Sequence, residues 1–417
     1  MNTDNEIKIV DHLFRHQSGK MLAILSKIFG LSNLELIEDA VQDTFLQASI
    51  KWRNGLPENP EAWLTLTAKN RVIDLLRQSK SLKNRNANYK LDEYSKIDEV
   101  YMNHEVEDSQ LRMIFVACHP AFSKEDQITF ALKAISGFSG KEIASALLQN
   151  EETIKKRLSR ARKKIKELDI KLEYPDPNEI ESRISGVLQI IYLIFNEGFH
   201  SIKENSLIDK ELCGEALRLT KLLLIKDNFR TGTLYALFAL LCFNSSRIDS
   251  KILDGEIIDL KNQDRSKWYL PLIVLGQDSL RTAQMYSDRS AYHYEALIAA
   301  EHVKAIKFEN TNWELIIKYY DEMYKFSPSI NILLSKTIAF LQIDKYNQAK
   351  EILDLIKPKE LNQRVYLYHG TLAEYYIKIN NKNKAIEELD KAINSCKNNL
   401  EIKYLQKKRE VLVKSKN

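Results

Sequence analysis

Apolar residues recur along this chain at helical spacing, with Leu, Ile and Ala set among Lys and Glu, and alternating β-branched strands are hard to find. The pattern predicts an all-α protein. In NLELIEDAVQDTFLQASIKW, Leu36, Ala40, Phe45 and Ala48 take the inward side of one helix. Glu38, Asp39, Gln42 and Asp43 are left as an acidic, amide-bearing outer surface. A second helix is expected from Pro60 to Gln78, with Pro60 near its start. Its Trp63, Leu64, Leu66, Thr67, Ile73 and Leu76 mix a core face with one bulky aromatic. Lys69, Asn70, Arg71, Asp74 and Arg77 supply hydrogen-bonding groups elsewhere on it.

A sharper pattern lies in ISGFSGKEIASALLQNEETIKKRLSRARKKIKEL. Ser139 and Glu142 have the spacing of a capping box, opening a short helix that buries Ile143, Ala144 and Leu147. Asn150 is placed to cap the next helix, whose first turn carries Glu151 and Glu152 as the helix dipole prefers. On that helix Ile154, Leu158, Ala161 and Ile165 form one apolar stripe, so it docks on a core. Lys155, Lys156, Arg157, Arg160, Arg162, Lys163 and Lys164 are left outside. A short helix, a tight turn and a docked basic helix form a helix-turn-helix, which brings a few side chains near base edges. The rival reading is a solvated face on a bundle helix. The turn, Leu148-Gln149-Asn150, has no Gly, which makes Asn150 the candidate for an unusual φ.

These patterns divide the chain. Residues 1–80 form a first helical zone, and 81–108 a polar connector, basic in its first half and acidic in its second. Residues 109–170 form a compact helical unit that runs out at the prolines of EYPDPNE. Residues 171–417 are expected to be helical throughout, and repeat-like from about 290. There, IAFLQIDKYNQAKEILDLI and AEYYIKINNKNKAIEELDKAI align with Ala349 over Ala385, an offset near the 34-residue tetratricopeptide period. Stacked helix pairs of this kind would give a concave surface for a protein or small-ligand regulator.

Charge and chemistry narrow the picture. The net charge is only +5, so the basic helix is a local concentration. Basic groups beside Trp63 on the Pro60–Gln78 helix suit single-stranded DNA, although Trp63 also suits a core. The four cysteines, Cys118, Cys213, Cys242 and Cys396, are scattered and read as core residues of a reducing compartment. Without a leader pattern or a run of ~18 apolar residues, a cytoplasmic protein with no membrane partner is expected. No metal, cofactor or catalytic set is expected: HExxH, P-loop and GxSxG patterns are missing, and Cys118-His119 reads as a core Cys and a helix-end His. In FNEGF, Glu197 invites an enzymatic reading, but Gly198 reads as a helix end. Asp264, Arg265 and Trp268 in QDRSKW read as a buried ion pair that fixes helix packing, with a ligand site as the alternative.

Two motifs in this order resemble the extracytoplasmic-function class of bacterial RNA polymerase sigma factors. EDAVQDTFLQA with NPEAWLTLTAKNRVIDLLR looks like sigma region 2, and FSGKEIASALLQNEETIKKRLSRARKKI looks like region 4. FVACHPAF, IYLIFNEGF and the repeat-like end resemble the subgroup with a long tetratricopeptide-like extension. The resemblance implies a promoter-specificity subunit whose partners are core RNA polymerase and promoter DNA. It implies polymerase binding by Asp39, Gln42, Asp43 and Phe45. It implies −10 contacts from Trp63, Lys69, Asn70, Arg71, Asp74 and Arg77. It implies −35 contacts from Thr153, Lys155, Lys156, Arg157, Arg160, Arg162 and Lys163. The extension would modulate activity. The alternative is a helix-turn-helix regulator with a helical-repeat sensor domain.

Overall fold

A computed structural model describes residues 3–81, 103–147, 149–200, 208–253 and 255–414; most of the connector, 82–102, lies outside them. Among the described residues the regular elements are helices apart from a two-stranded hairpin, Ile252–Leu253 with Glu256–Ile257. They fall into two compact units, Met1–Ile194 and Phe195–Asn417.

The first unit holds α1 (Thr3–Phe29), α2 (Leu34–Lys51), α3 (Pro60–Ser81), α4 (Asn103–Ala117), α5 (Lys124–Ala134), α6 (Gly140–Ala146) and α7 (Glu151–Glu167). It also takes in most of α8 (Pro177–Phe199). α1 packs against α2, α3 and α4, while α7 lies across α5 and α6. The expected caps form: Ser139 and Glu142 exchange bonds of 3.2 and 2.8 Å with each other's backbone N–H groups, and Asn150 Oδ1 accepts from Thr153 N at 2.7 Å. Ile154, Leu158, Ala161 and Ile165 are all buried. The three larger side chains contribute roughly 2 kcal/mol each by leaving water, which holds α7 against its neighbours.

The expected unusual φ at Asn150 is not there. Its backbone is extended, with φ −83° and ψ 154°, because an N-cap must stand outside the helix while its side chain folds back. The left-handed residue sits at the other end of α7: Asp169 has φ 47°, and Ile170 N donates to Ile165 O at 3.0 Å, a Schellman ending.

The second unit runs through α9 (Lys210–Ile225), α10 (Gly232–Ser246), α11 (Leu270–Gln284), α12 (Ala291–Lys304) and α13 (Trp313–Phe326). It ends with α14 (Ile330–Gln342), α15 (Tyr346–Leu355), α16 (Val365–Lys378), α17 (Lys382–Ser395) and α18 (Asn399–Lys414). α10 is apolar on every side and is enclosed by α9, α11 and α12. The repeat is visible in the backbone. Asp344 and Asn380, 36 residues apart like Ala349 and Ala385, both adopt left-handed turns at φ 55° and 57°. Each is followed by the same closing bond, Lys345 N to Phe340 O and Asn381 N to Tyr376 O. Ala349 and Ala385 are both fully buried where paired helices approach.

Two details differ from expectation. Gly198 does not end α8, which continues to Phe199. A Cβ there would lie 2.7 Å from Leu212 Cβ and 2.8 Å from Asp209 O, so glycine permits close approach to the start of α9. Asp264 does not pair with Arg265. Asp264 accepts from Ser266 N and Oγ, whereas Arg265 Nη1 donates to the carbonyls of His302 and Ala305 at the end of α12. The packing role holds, but through helix capping.

Candidate nucleic-acid and polymerase interfaces

α2 and α3 lie side by side, and their outer faces carry the first set of candidates. Asp39 and Gln42 are exposed on α2, whereas Phe45 is buried at 5 % exposure and drops out as a surface contact. Its neighbour Leu46 is 62 % exposed and continues the line Asp39–Gln42–Leu46, with exposed Ile50 one turn beyond. The i, i+3, i+7 spacing from Asp39 marks Leu46 as a member of that face. Asp43 is half-exposed and binds Arg71 of α3, with bonds of 2.9 Å to Nε and 2.7 Å to Nη2. Both nitrogens converge on one oxygen, Asp43 Oδ2, and the pair joins a residue assigned to polymerase with one assigned to DNA.

On α3, Asn70, Asp74 and Arg77 are exposed. Lys69 is buried at 2 % exposure, which withdraws it from direct DNA contact. Trp63 is half-buried: its ring meets buried Trp52 edge-on at 5.4 Å, and Lys51 Nζ lies 5.6 Å from its centroid. The indole is thus packed on Trp52, with the Lys51 ammonium drawn to its ring.

α7 presents the second set. Lys155 and Lys156 are exposed beside half-buried Thr153 and Arg157 near its N-terminus. Lys156 meets Glu152 at 2.7 Å, an exposed pair worth little and readily exchanged for phosphate. Lys155 and Arg157 have no ion-pair partner among the described residues. Further along, Arg160 binds buried Asp126 of α5 at 2.8 Å, and Lys163 lies 3.5 Å from Glu167. Arg162 turns inward to a buried ion pair with Glu38 of α2. Glu38, placed on the outer acidic face by the pattern, is therefore interior, and burial raises its carboxyl above the usual range against the pull of Arg162 and Lys133.

That pair is one close approach between the α1–α3 and α5–α7 segments. At another, a Cβ on Gly19 of α1 would fall 2.0 Å from the Ile135 carbonyl oxygen after α5. Glu38 Oε1 and Arg162 Nε make no further hydrogen bond among the described residues, so the ion pair is only partly satisfied.

Cys118 is buried, with its thiol pushed up to about 12 by burial, and His119 Nδ1 accepts from Ala121 N. Among the described residues no group of three or more His, Cys, Asp or Glu is placed to hold a metal. No described helix is long and apolar enough to cross a membrane.

The geometry defines a class: a helix-turn-helix with free cations at the start of its second helix, joined in one chain to an acidic, amide-bearing helix pair carrying an aromatic. Residues 13–81 match sigma-70 region 2 and residues 112–165 match sigma-70 region 4. Residues 183–284 match a family of unknown function (DUF6596). An uncharacterized protein of Rhizobium meliloti (strain 1021) is 30% identical over 383 residues, covering 90% of this chain and 89% of that protein. No solved structure matches. The chain belongs to the sigma-70 family, as an extracytoplasmic-function-like sigma factor with a C-terminal helical extension.

Proposed function

We propose that this sigma factor binds core RNA polymerase through the Asp39–Gln42–Leu46 face of α2. It opens the −10 element over α3 and reads the −35 duplex with the first two turns of α7, while the C-terminal unit modulates its activity. The single observation that carries the reading is the split of cations on α7. Near the helix start Lys155 and Arg157 make no ion pair among the described residues, whereas Arg160 and Arg162 further along are committed to Asp126 and Glu38. A recognition helix needs this division, with base-edge contacts at its N-terminal end and anchorage behind.

The reading also requires a change of state. The −10 and −35 elements lie about 25 base pairs apart, roughly 85 Å at 3.4 Å per pair. α3 and α7, ~33 and ~26 Å long at 1.5 Å per residue, are held in one compact unit through Arg162–Glu38 and Gly19–Ile135. Binding promoter DNA would therefore separate the two segments, and a partly satisfied ion pair is a seam suited to opening.

Co-elution with purified core polymerase tests the assignment. Asp39→Lys with Leu46→Asp should abolish co-elution while the chain stays folded. Co-elution at wild-type level would reject this face.

A further inference from the structure

The C-terminal unit holds a second concentration of positive charge, of a different kind. Arg247, Lys251 and Arg265 are half-buried, and none has a carboxylate ion-pair partner among the described residues. Lys251 Nζ donates to Phe199 O at 2.7 Å and lies 3.6 Å from the Phe199 ring centroid, with Arg247 over the same ring at 5.1 Å. Arg265 stacks over Trp268 at 4.8 Å. Lys251 and Arg265 thus cap the C-terminal carbonyls of α8 and α12, which offsets part of their charge. Arg247 caps no other helix and repels Arg265.

Arg265 and Trp268 line a cleft of about 620 Å³, a volume typical of small-ligand sites. Two donors in this lining, Arg265 Nη2 and Trp268 Nε1, are buried without a hydrogen-bond partner. Trp268 is itself more than nine-tenths buried. Lys261 and Lys307, exposed and outside any ion pair among the described residues, stand at the mouth. Two carboxylates share the lining: Asp264 is engaged with Ser266 and lies 3.8 Å from Lys267, and Glu309 is exposed. Exposed Ile306 and half-buried Phe308 add apolar surface.

We propose that this cleft binds a small organic anion, its phosphate or carboxylate head taken by Arg265 Nη2 and Trp268 Nε1 and its apolar body laid against Phe308 and Ile306. An oxyanion in this lining would offer acceptors to the orphan donors and add to the exposed carboxylate of Glu309, whose charge already acts on Arg265. The site concerns binding alone, so it stands or falls separately from the promoter assignment.

Thermal shift and calorimetry on the full chain, at constant ionic strength, test it with phenyl phosphate and phenylacetate as probes. At least one should bind saturably at millimolar concentration or below, and the stronger of the two identifies the head group. Lys261→Ala with Lys307→Ala removes only exposed side chains and should weaken that binding at least tenfold. Trp268→Phe keeps the ring and deletes the N–H, and should weaken it severalfold. No saturable binding by either probe would overturn the site. So would binding that both variants retain in full, or a shift that follows ionic strength alone.

Discussion

The two basic regions of this molecule differ in burial more than in charge. On α7, most cations stand in solvent or meet a carboxylate, as Arg160 meets Asp126 and Arg162 meets Glu38, while Lys164 donates to the Ala121 carbonyl. In the C-terminal unit, Arg247, Lys251 and Arg265 are drawn into the fold among aromatic rings and helix ends, with no carboxylate paired to them. Exposed cations can be exchanged onto a polymer's phosphates, which suits binding to a long duplex. Enclosed basic groups with no carboxylate in ion-pair contact suit a ligand small enough to enter.

The largest effect should come from putting charge where α7 has none. Ile154→Asp places a carboxylate in a fully buried position and should cost at least about 4 kcal/mol, unfolding the α5–α7 segment in chemical denaturation. Lys155→Asp, one residue on, should leave stability nearly unchanged. Equal costs at the two positions would contradict the docked-stripe account.

Next in size, Arg157→Ala should weaken use of a −35-dependent promoter by ~1–3 kcal/mol if the guanidinium meets a base bidentately. Its melting should stay at the wild-type value, since Arg157 has no ion pair to lose within the described residues. Wild-type transcription from such a promoter would remove Arg157 from the reading surface.

Asn150→Ala deletes the cap on Thr153 N and should cost about 1 kcal/mol of stability, read as a lower denaturation midpoint. This cap, the Ser139–Glu142 box and the Ile154–Ile165 stripe were legible in the sequence because each is a local relation within one or two turns. The 36-residue repeat was legible because the same local turn pattern recurs in both copies, and Asp344 and Asn380 both take left-handed conformations at those turns. Legibility failed for Lys69, Glu38, Phe45 and Arg162. Their helical faces were ambiguous, and the burial of a long polar side chain depends on a partner distant in the chain, as Glu38 depends on Arg162. The orphan donors of Arg265 and Trp268 were invisible for a related reason: only packing shows which atoms lack a partner.

A last effect, read as a slope per pH unit and not as a mutational cost, should be a pH dependence that arises in the C-terminal unit. Burial, then repulsion from Arg247, holds the Lys251 ammonium down to about 7, against an opposing pull from Cys213 and Glu401. Unfolding restores an ordinary lysine near ~10.4. Between those values the unfolded chain binds a proton that the folded chain has released, so stability rises with pH from about 7 toward 10. The slope should stay below ~1.4 kcal/mol per pH unit. Urea titrations across this range should show the rise in the wild type and a flatter profile in Lys251→Met. An identical slope in both would remove Lys251 as its source.

Run-off transcription with purified core polymerase on a library of genomic fragments tests the central claim most directly. Core enzyme with this chain should initiate at a limited set of sites sharing −10 and −35 sequences, and the chain alone should protect none of them. Operator-like protection by the isolated chain, with no new transcripts when core is added, would contradict the account.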